Sequence, residues 1–204
     1  MRLNEPMGTA VLILYEITGV KNMTIDVATI PAGTWTLDPT HSDITFSVRH
    51  LAISKVRGSF EKFDVTVVTT ENPADTTVTA SVEVASVNTN QADRDGHLKT
   101  SDFFLVEEFP TMDFASTAVR LEDDVFYVDG NLTLRGVTKA VTLKGELGGV
   151  ITDGYGQTKL GASASTKINR LDYGVNWNAA LEAGGLTLGN DVTINFEIQV
   201  VLQP

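Results

Sequence analysis

From Thr34 to Leu202 the chain alternates apolar and polar residues with the period of two that a β-strand imposes. Ile44, Phe46, Val48 and His50 fall on one face, and Asp43, Thr45, Ser47 and Arg49 on the other. A slip of one residue would turn each apolar set to the wrong side, so this pattern constrains register as well as element type. Val56, Gly58 and Phe60 share one parity while Phe63, Val65 and Val67 share the other, which predicts an extra residue near Glu61-Lys62, most simply a β-bulge. Further strands carry Val78, Ala80, Val82 and Val84; Met112 and Phe114; Val125 to Leu134; and Val141, Leu143, Gly145 and Leu147. Leu160, Ala162, Ala164 and Ile168 mark a seventh, and Val192 to Leu202 the most regular run of all.

Eight strands joined mostly by short turns give an all-β domain, either a sandwich or a closed antiparallel up-and-down barrel. Several runs reach ten residues or more, roughly 33 Å each, and strands this long favour an extended barrel. Eight strands enclose an interior just wide enough for side chains or one slender ligand. The inward set mixes Ala80, Ala162, Ala164, Gly58 and Gly145 with Phe and Ile, as an open lumen requires. A barrel filled by its own side chains is the alternative. Two excursions interrupt the meander, the polar island at residues 93–104 followed by Pro110, and residues 169–189, and Asn178-Ala-Ala-Leu-Glu-Ala in the second is expected to form a short helical turn stopped by Gly184-Gly185.

The length, 204 residues, suits one domain, read as residues 33–204, with residues 1–32 as an N-terminal extension partly outside the fold. Residues 1–22 carry one apolar run, Ala10 to Tyr15, too short to span a bilayer and without the flanks of a secretory signal. The expectation is an extension preceding an ordinary start at Met23, no stable membrane insertion, and a cytoplasmic protein. A periplasmic or secreted one is expected only if a signal lies outside this sequence. With no cysteine, thiol catalysis and thiolate-bound zinc are excluded. A net charge of −11, from 26 acidic and 15 basic residues, argues against a nucleic-acid partner.

The first excursion breaks the alternation most sharply. Asp93-Arg-Asp-Gly-His-Leu-Lys-Thr-Ser-Asp-Phe-Phe concentrates charge and then ends in paired aromatics. A polar island set into a regular β framework is where ligand contact or catalysis is expected. Its structural reading is a loop in which Arg and Asp pair, a polar residue caps a helical turn and Phe103-Phe104 plug one barrel end. Tyr173 and Trp177 of the second excursion could extend that aromatic surface. A metal site would draw on His41, His50 and His97, but no pair has a ligand spacing that certifies one. A hydrolase would draw on Ser42 or Ser101 with His97 and Asp93, Asp95 or Asp102, without any nucleophile-elbow motif.

Trp35-Thr-Leu-Asp-Pro-Thr-His-Ser, then Phe46-Ser-Val-Arg-His-Leu and Val56-Arg-Gly-Ser-Phe, resemble the opening of the YceI-like family of bacterial proteins. Arg94-Asp-Gly-His-Leu, Asp102-Phe-Phe, Phe109-Pro-Thr, Phe114-Ala-Ser-Thr, Gly130-Asn-Leu-Thr-Leu-Arg-Gly-Val-Thr and the closing strand from Leu188 follow in the same order. The resemblance spans about residues 33–203. It implies a lipocalin-like barrel that binds a polyisoprenoid, either an isoprenoid quinone or a polyprenyl phosphate, as carrier or store. It also implies no catalytic activity, no cofactor other than the bound lipid, and a homodimer.

On parity, the residues expected to line the lumen are Ile44, Phe46, Val48, Val82, Val84, Phe114, Leu132, Leu134, Phe196 and Ile198, with Phe103 and Phe104 near one end. His50, Arg94 and His97 are expected at the rim, toward the ligand's head group. The competing reading is a metal- or acid/base-dependent enzyme built on His41, His50, His97 and nearby Asp.

Overall fold

The computed structural model describes residues 30–122, 125–180 and 186–204. Among them run eleven strands: β1 (Gly33–Leu37), β2 (Asp43–His50), β3 (Ser54–Phe60), β4 (Phe63–Thr69), β5 (Thr77–Glu83), β6 (Val87–Asn88), β7 (Thr111–Glu122), β8 (Val125–Leu134), β9 (Val137–Thr152), β10 (Thr158–Asn169) and β11 (Leu188–Leu202). One α-helix, α1 (Ala92–Lys99), lies between β6 and β7. The expected extension at residues 1–22 lies outside the described residues.

Eleven strands reduce to eight because three long ones are interrupted. Pro39–His41 divides β1 from β2, Glu61-Lys62 divides β3 from β4, and Val84–Ser86 divides β5 from β6. The pairing runs antiparallel from strand to strand and closes where β11 meets both halves of the first strand: Val192 opposite Val48 on β2, and Leu202 opposite Trp35 on β1. The product is a closed eight-stranded barrel, the one of the two expected architectures that strand length favours. At Glu61-Lys62 the ladder breaks outright instead of bulging. Ser86, from the neighbouring interruption, accepts both freed amides there: Glu61 N–H on its carbonyl (3.2 Å) and Lys62 N–H on its Oγ (3.0 Å).

One predicted lumen residue moves because of the third interruption. Val84 follows Val82 in parity, but β5 ends at Glu83 and the chain turns into a 3-10 helix. The Val84 amide bonds Pro110 O, and its side chain is buried in the wall, 1 % exposed, outside both cavities described below.

Up-and-down order sends both excursions to one end of the barrel, along with the β2–β3 and β8–β9 hairpins. At the opposite end Trp35 is fully buried against Leu160 and Val200. Its indole N–H donates to Thr69 Oγ1 (2.8 Å), which in turn donates to Pro31 O (2.7 Å). That end is closed by side chains. Beside it, the Asp38 carboxylate takes hydrogen bonds from Lys159, His41, Gln199 and the Thr40 amide. Burial alone would raise its pKa, but these donors outweigh it and hold Asp38 well below the usual carboxylate range.

Candidate functional site: an apolar lumen under a two-part lid

Two cavities lie along the barrel axis. The outer one, about 520 Å³, is bounded by β2, β3, β11, α1 and the loop after β10. The inner one, about 130 Å³, lies deeper among β4, β5 and β7–β11 and ends short of the Trp35 plug. Met112 and Ile194 line both, so they mark the neck between the two chambers. Apart from Thr166, which lines the inner chamber, every side chain facing it is apolar. The inner chamber can therefore take apolar surface out of water, while the ionisable side chains His50, Asp93, Arg94, His97 and Arg170 gather around the outer one.

The glycines do more than leave space. A Cβ on Gly58 would sit 2.6 Å from the Phe46 ring, and one on Gly145 would sit 2.5 Å from Phe126. Each of these pairs is directly opposed across two strands, β2–β3 and β8–β9. The rings therefore lie against the wall over a residue with no side chain, and the channel beside them stays open.

The lid combines both excursions. Gln91 caps α1 by accepting the Arg94 amide, and the helix leads into turns that carry Phe103 and Phe104 inward. Arg135, in the β8–β9 hairpin, donates to Phe103 O at 2.8 Å and so ties this segment to the barrel. The second excursion starts with a 3-10 turn, Arg170–Tyr173, capped by Asn169 and ended by Gly174 at φ 73°. It lays Trp177 against Phe103 (ring centroids 5.3 Å apart) and edge-on to His97 (5.0 Å). The helical turn expected from Asn178 does not form over the described residues. Asn178 instead bonds Leu188 in both directions, and Ala180 bridges Leu186, because the loop folds back on itself. The remainder of that segment, residues 181–185, lies outside the described residues.

Phe46, Val48, Phe103, Phe104 and Leu134 line the outer chamber, as do His50, Arg94 and His97. Ile44, Val82, Phe114, Leu132, Phe196 and Ile198 line the inner one. Arg94 is engaged at the wall, its Nε and Nη2 donating to Thr89 Oγ1 (2.7 Å) and O (2.8 Å). His97 Nε2 meets Asp102 Oδ2 at 2.7 Å on an exposed edge. His41 stays at the far end of β2 from His50, paired with Asp38, so the three histidines do not converge. Ser42 likewise stays with Asp38 O and Gln199.

The sequence reading omits Arg170. It is 4 % exposed and lines the outer chamber. Its Nε donates to Gly189 O (2.9 Å), and its Nη1 to Val175 O (2.6 Å) and Trp177 O (2.8 Å). Burial pushes its pKa down, although a guanidinium stays charged in any protein interior. The parity of Leu160, Ala162, Ala164 and Ile168, carried two residues past Ile168 and one beyond the strand end, points to it.

Comparison with known proteins fixes the family. The model of the YceI-like domain matches residues 35–200. The chain belongs to the YceI-like family. A UPF0312 protein of Staphylococcus aureus is 40% identical over 160 residues, covering 78% of this chain and 91% of that protein. Among solved structures, the YCEI protein of Campylobacter jejuni superposes with a TM-score of 0.66 at 28% identity, over 91% of this chain and all of that one. A polyisoprenoid binding domain from Saccharophagus degradans shares the fold, with a TM-score of 0.64 at 16% identity over 85% of this chain and all of the domain.

Proposed function

We propose that this YceI-like barrel binds one long apolar isoprenoid lipid, an isoprenoid quinone or a polyprenyl phosphate, and serves as its carrier or store without catalysing a reaction. The observation that carries this reading is the two-chamber apolar tube, closed by Trp35 at one end and covered by a jointed lid at the other. Each square ångström of apolar surface moved from water into such a tube contributes about 25 cal/mol. An isoprenoid tail is long enough that this sum exceeds the cost of immobilising it, with few polar contacts needed. The shape suits a slender branched chain that threads past Met112 and Ile194. The Saccharophagus degradans domain, which shares the fold, is described as polyisoprenoid binding and supports the same ligand class.

The lumen residues named above would grip the tail, with His50, Arg94 and His97 near the head. Organic extraction of the purified full chain followed by mass spectrometry tests the proposal. The expected result is a near-stoichiometric lipid whose fragments step by isoprene units. A chain that carries straight acyl lipids instead, or that takes up no prenyl compound when one is added, would overturn it.

A further inference from the structure

Arg170 brings a permanent positive charge into the wall of an apolar cavity, and no carboxylate among the described residues pairs with it. Its Nε and Nη1 donors are spent on the carbonyls of Val175, Trp177 and Gly189. Its Nη2 is buried and has no hydrogen-bond partner among the described residues. A buried cation without a counter-charge is costly, and natural interiors seldom keep one without a use. The other ionisable groups around this chamber are Arg94, His50, His97 and a single carboxylate, Asp93, which is exposed on the first turn of α1. Among the lining residues, cationic and proton-binding groups outnumber this one carboxylate, while Asp102 outside the lining is engaged with His97.

Building on the lumen reading, we infer that Arg170 is the head-group anchor and that it selects an anionic head, the phosphate or diphosphate of a prenyl chain, over a neutral one. A phosphate oxygen would satisfy Nη2 and neutralise the buried charge together, whereas a quinone carbonyl or an alcohol could satisfy only the donor. Because the same guanidinium holds the carbonyls of Val175 and Trp177, a head group bound to it would also tighten residues 170–177 over the chamber. Head recognition and lid closure would then share one residue.

The test is a titration followed by tryptophan fluorescence, to which Trp177 at the chamber contributes, using farnesyl diphosphate, farnesol and a neutral prenylquinone of the same tail length. Wild type should prefer the diphosphate to both neutral ligands by about ten- to a hundredfold, the span of one charge-assisted hydrogen bond. R170Q should lose that preference, read as the ratio of diphosphate to farnesol affinity on the same variant so that any general loosening of the lid cancels, and R170K, which keeps the charge, should recover part of it. The wild-type comparison needs no variant, so a misfolded substitution cannot hide the answer. If wild type binds farnesol or the quinone as tightly as the diphosphate, the anchor role falls and the lumen reading stands. If R170Q keeps the full preference, the anchor role falls as well. If none of the three ligands binds, both fall.

Discussion

The imidazole of His97 stands edge-on to the indole of Trp177, with ring centroids 5.0 Å apart and planes at 87°. These residues belong to the two excursions that interrupt the barrel, one between β6 and β7 and the other between β10 and β11. Phe103 completes the cluster, 5.0 Å from His97 and 5.3 Å from Trp177. Through these contacts each excursion leans on the other where it covers the lumen. Opening one should loosen both.

Trp177→Ala should therefore act on ligand escape. It removes two aromatic contacts worth about 0.5–1.5 kcal/mol each, while the Trp177 carbonyl that Arg170 holds is retained. Dissociation of a bound prenyl ligand should speed up about tenfold, with a much smaller change in Tm. Stopped-flow displacement checks this. An unchanged off-rate would mean that the ring cluster does not gate the lumen.

The inner chamber should set tail length. Ala164 lines it on β10, opposite Phe196 and Gly145. Ala164→Phe would fill most of about 130 Å³ with a ring. Long prenyl chains should lose about tenfold or more in affinity, the value of the methylenes they can no longer bury. Short chains that fit the outer chamber should bind as before. An equal loss for both would show that the two chambers are not filled in sequence.

Asp38 gives a pH dependence remote from the lumen. Its pKa is lower in the folded chain than in the unfolded one, so its contribution is complete above the ordinary carboxylate pKa of about 4 and is lost as pH falls toward the folded value. Asp38→Asn should lower Tm at pH 7 by about 3–12 °C, what one charge-assisted hydrogen bond amounts to in a chain this size. Scanning calorimetry at pH 7 and pH 3 should show the gap to wild type narrowing at the lower pH. A gap that stays constant would remove the Asp38 cluster as its source.

Parity made most of the lumen wall legible. Ile44, Phe46, Val48, Val82, Phe114, Leu132, Leu134, Phe196 and Ile198 all face a chamber because a strand closed into a barrel has only an inside and an outside. Val84 departs from the pattern because Pro110 captures its amide and ends the ladder, a long-range event that alternation does not record. Arg170 was obscured for a related reason. In Asn169-Arg-Leu-Asp-Tyr it resembles an exposed turn charge, and it is buried only because Val175 and Trp177 fold back to offer their carbonyls. Trp177 could be named as an aromatic of the second excursion, but its meeting with His97 depends on two loops converging at one barrel end.

The central claim, that the lumen holds an isoprenoid tail, is tested most directly by titrating the full chain with a series from geraniol through farnesol and geranylgeraniol to longer prenols. Affinity should rise by at least about tenfold for each early isoprene unit and flatten once both chambers are filled. Affinity that does not change with tail length would contradict it.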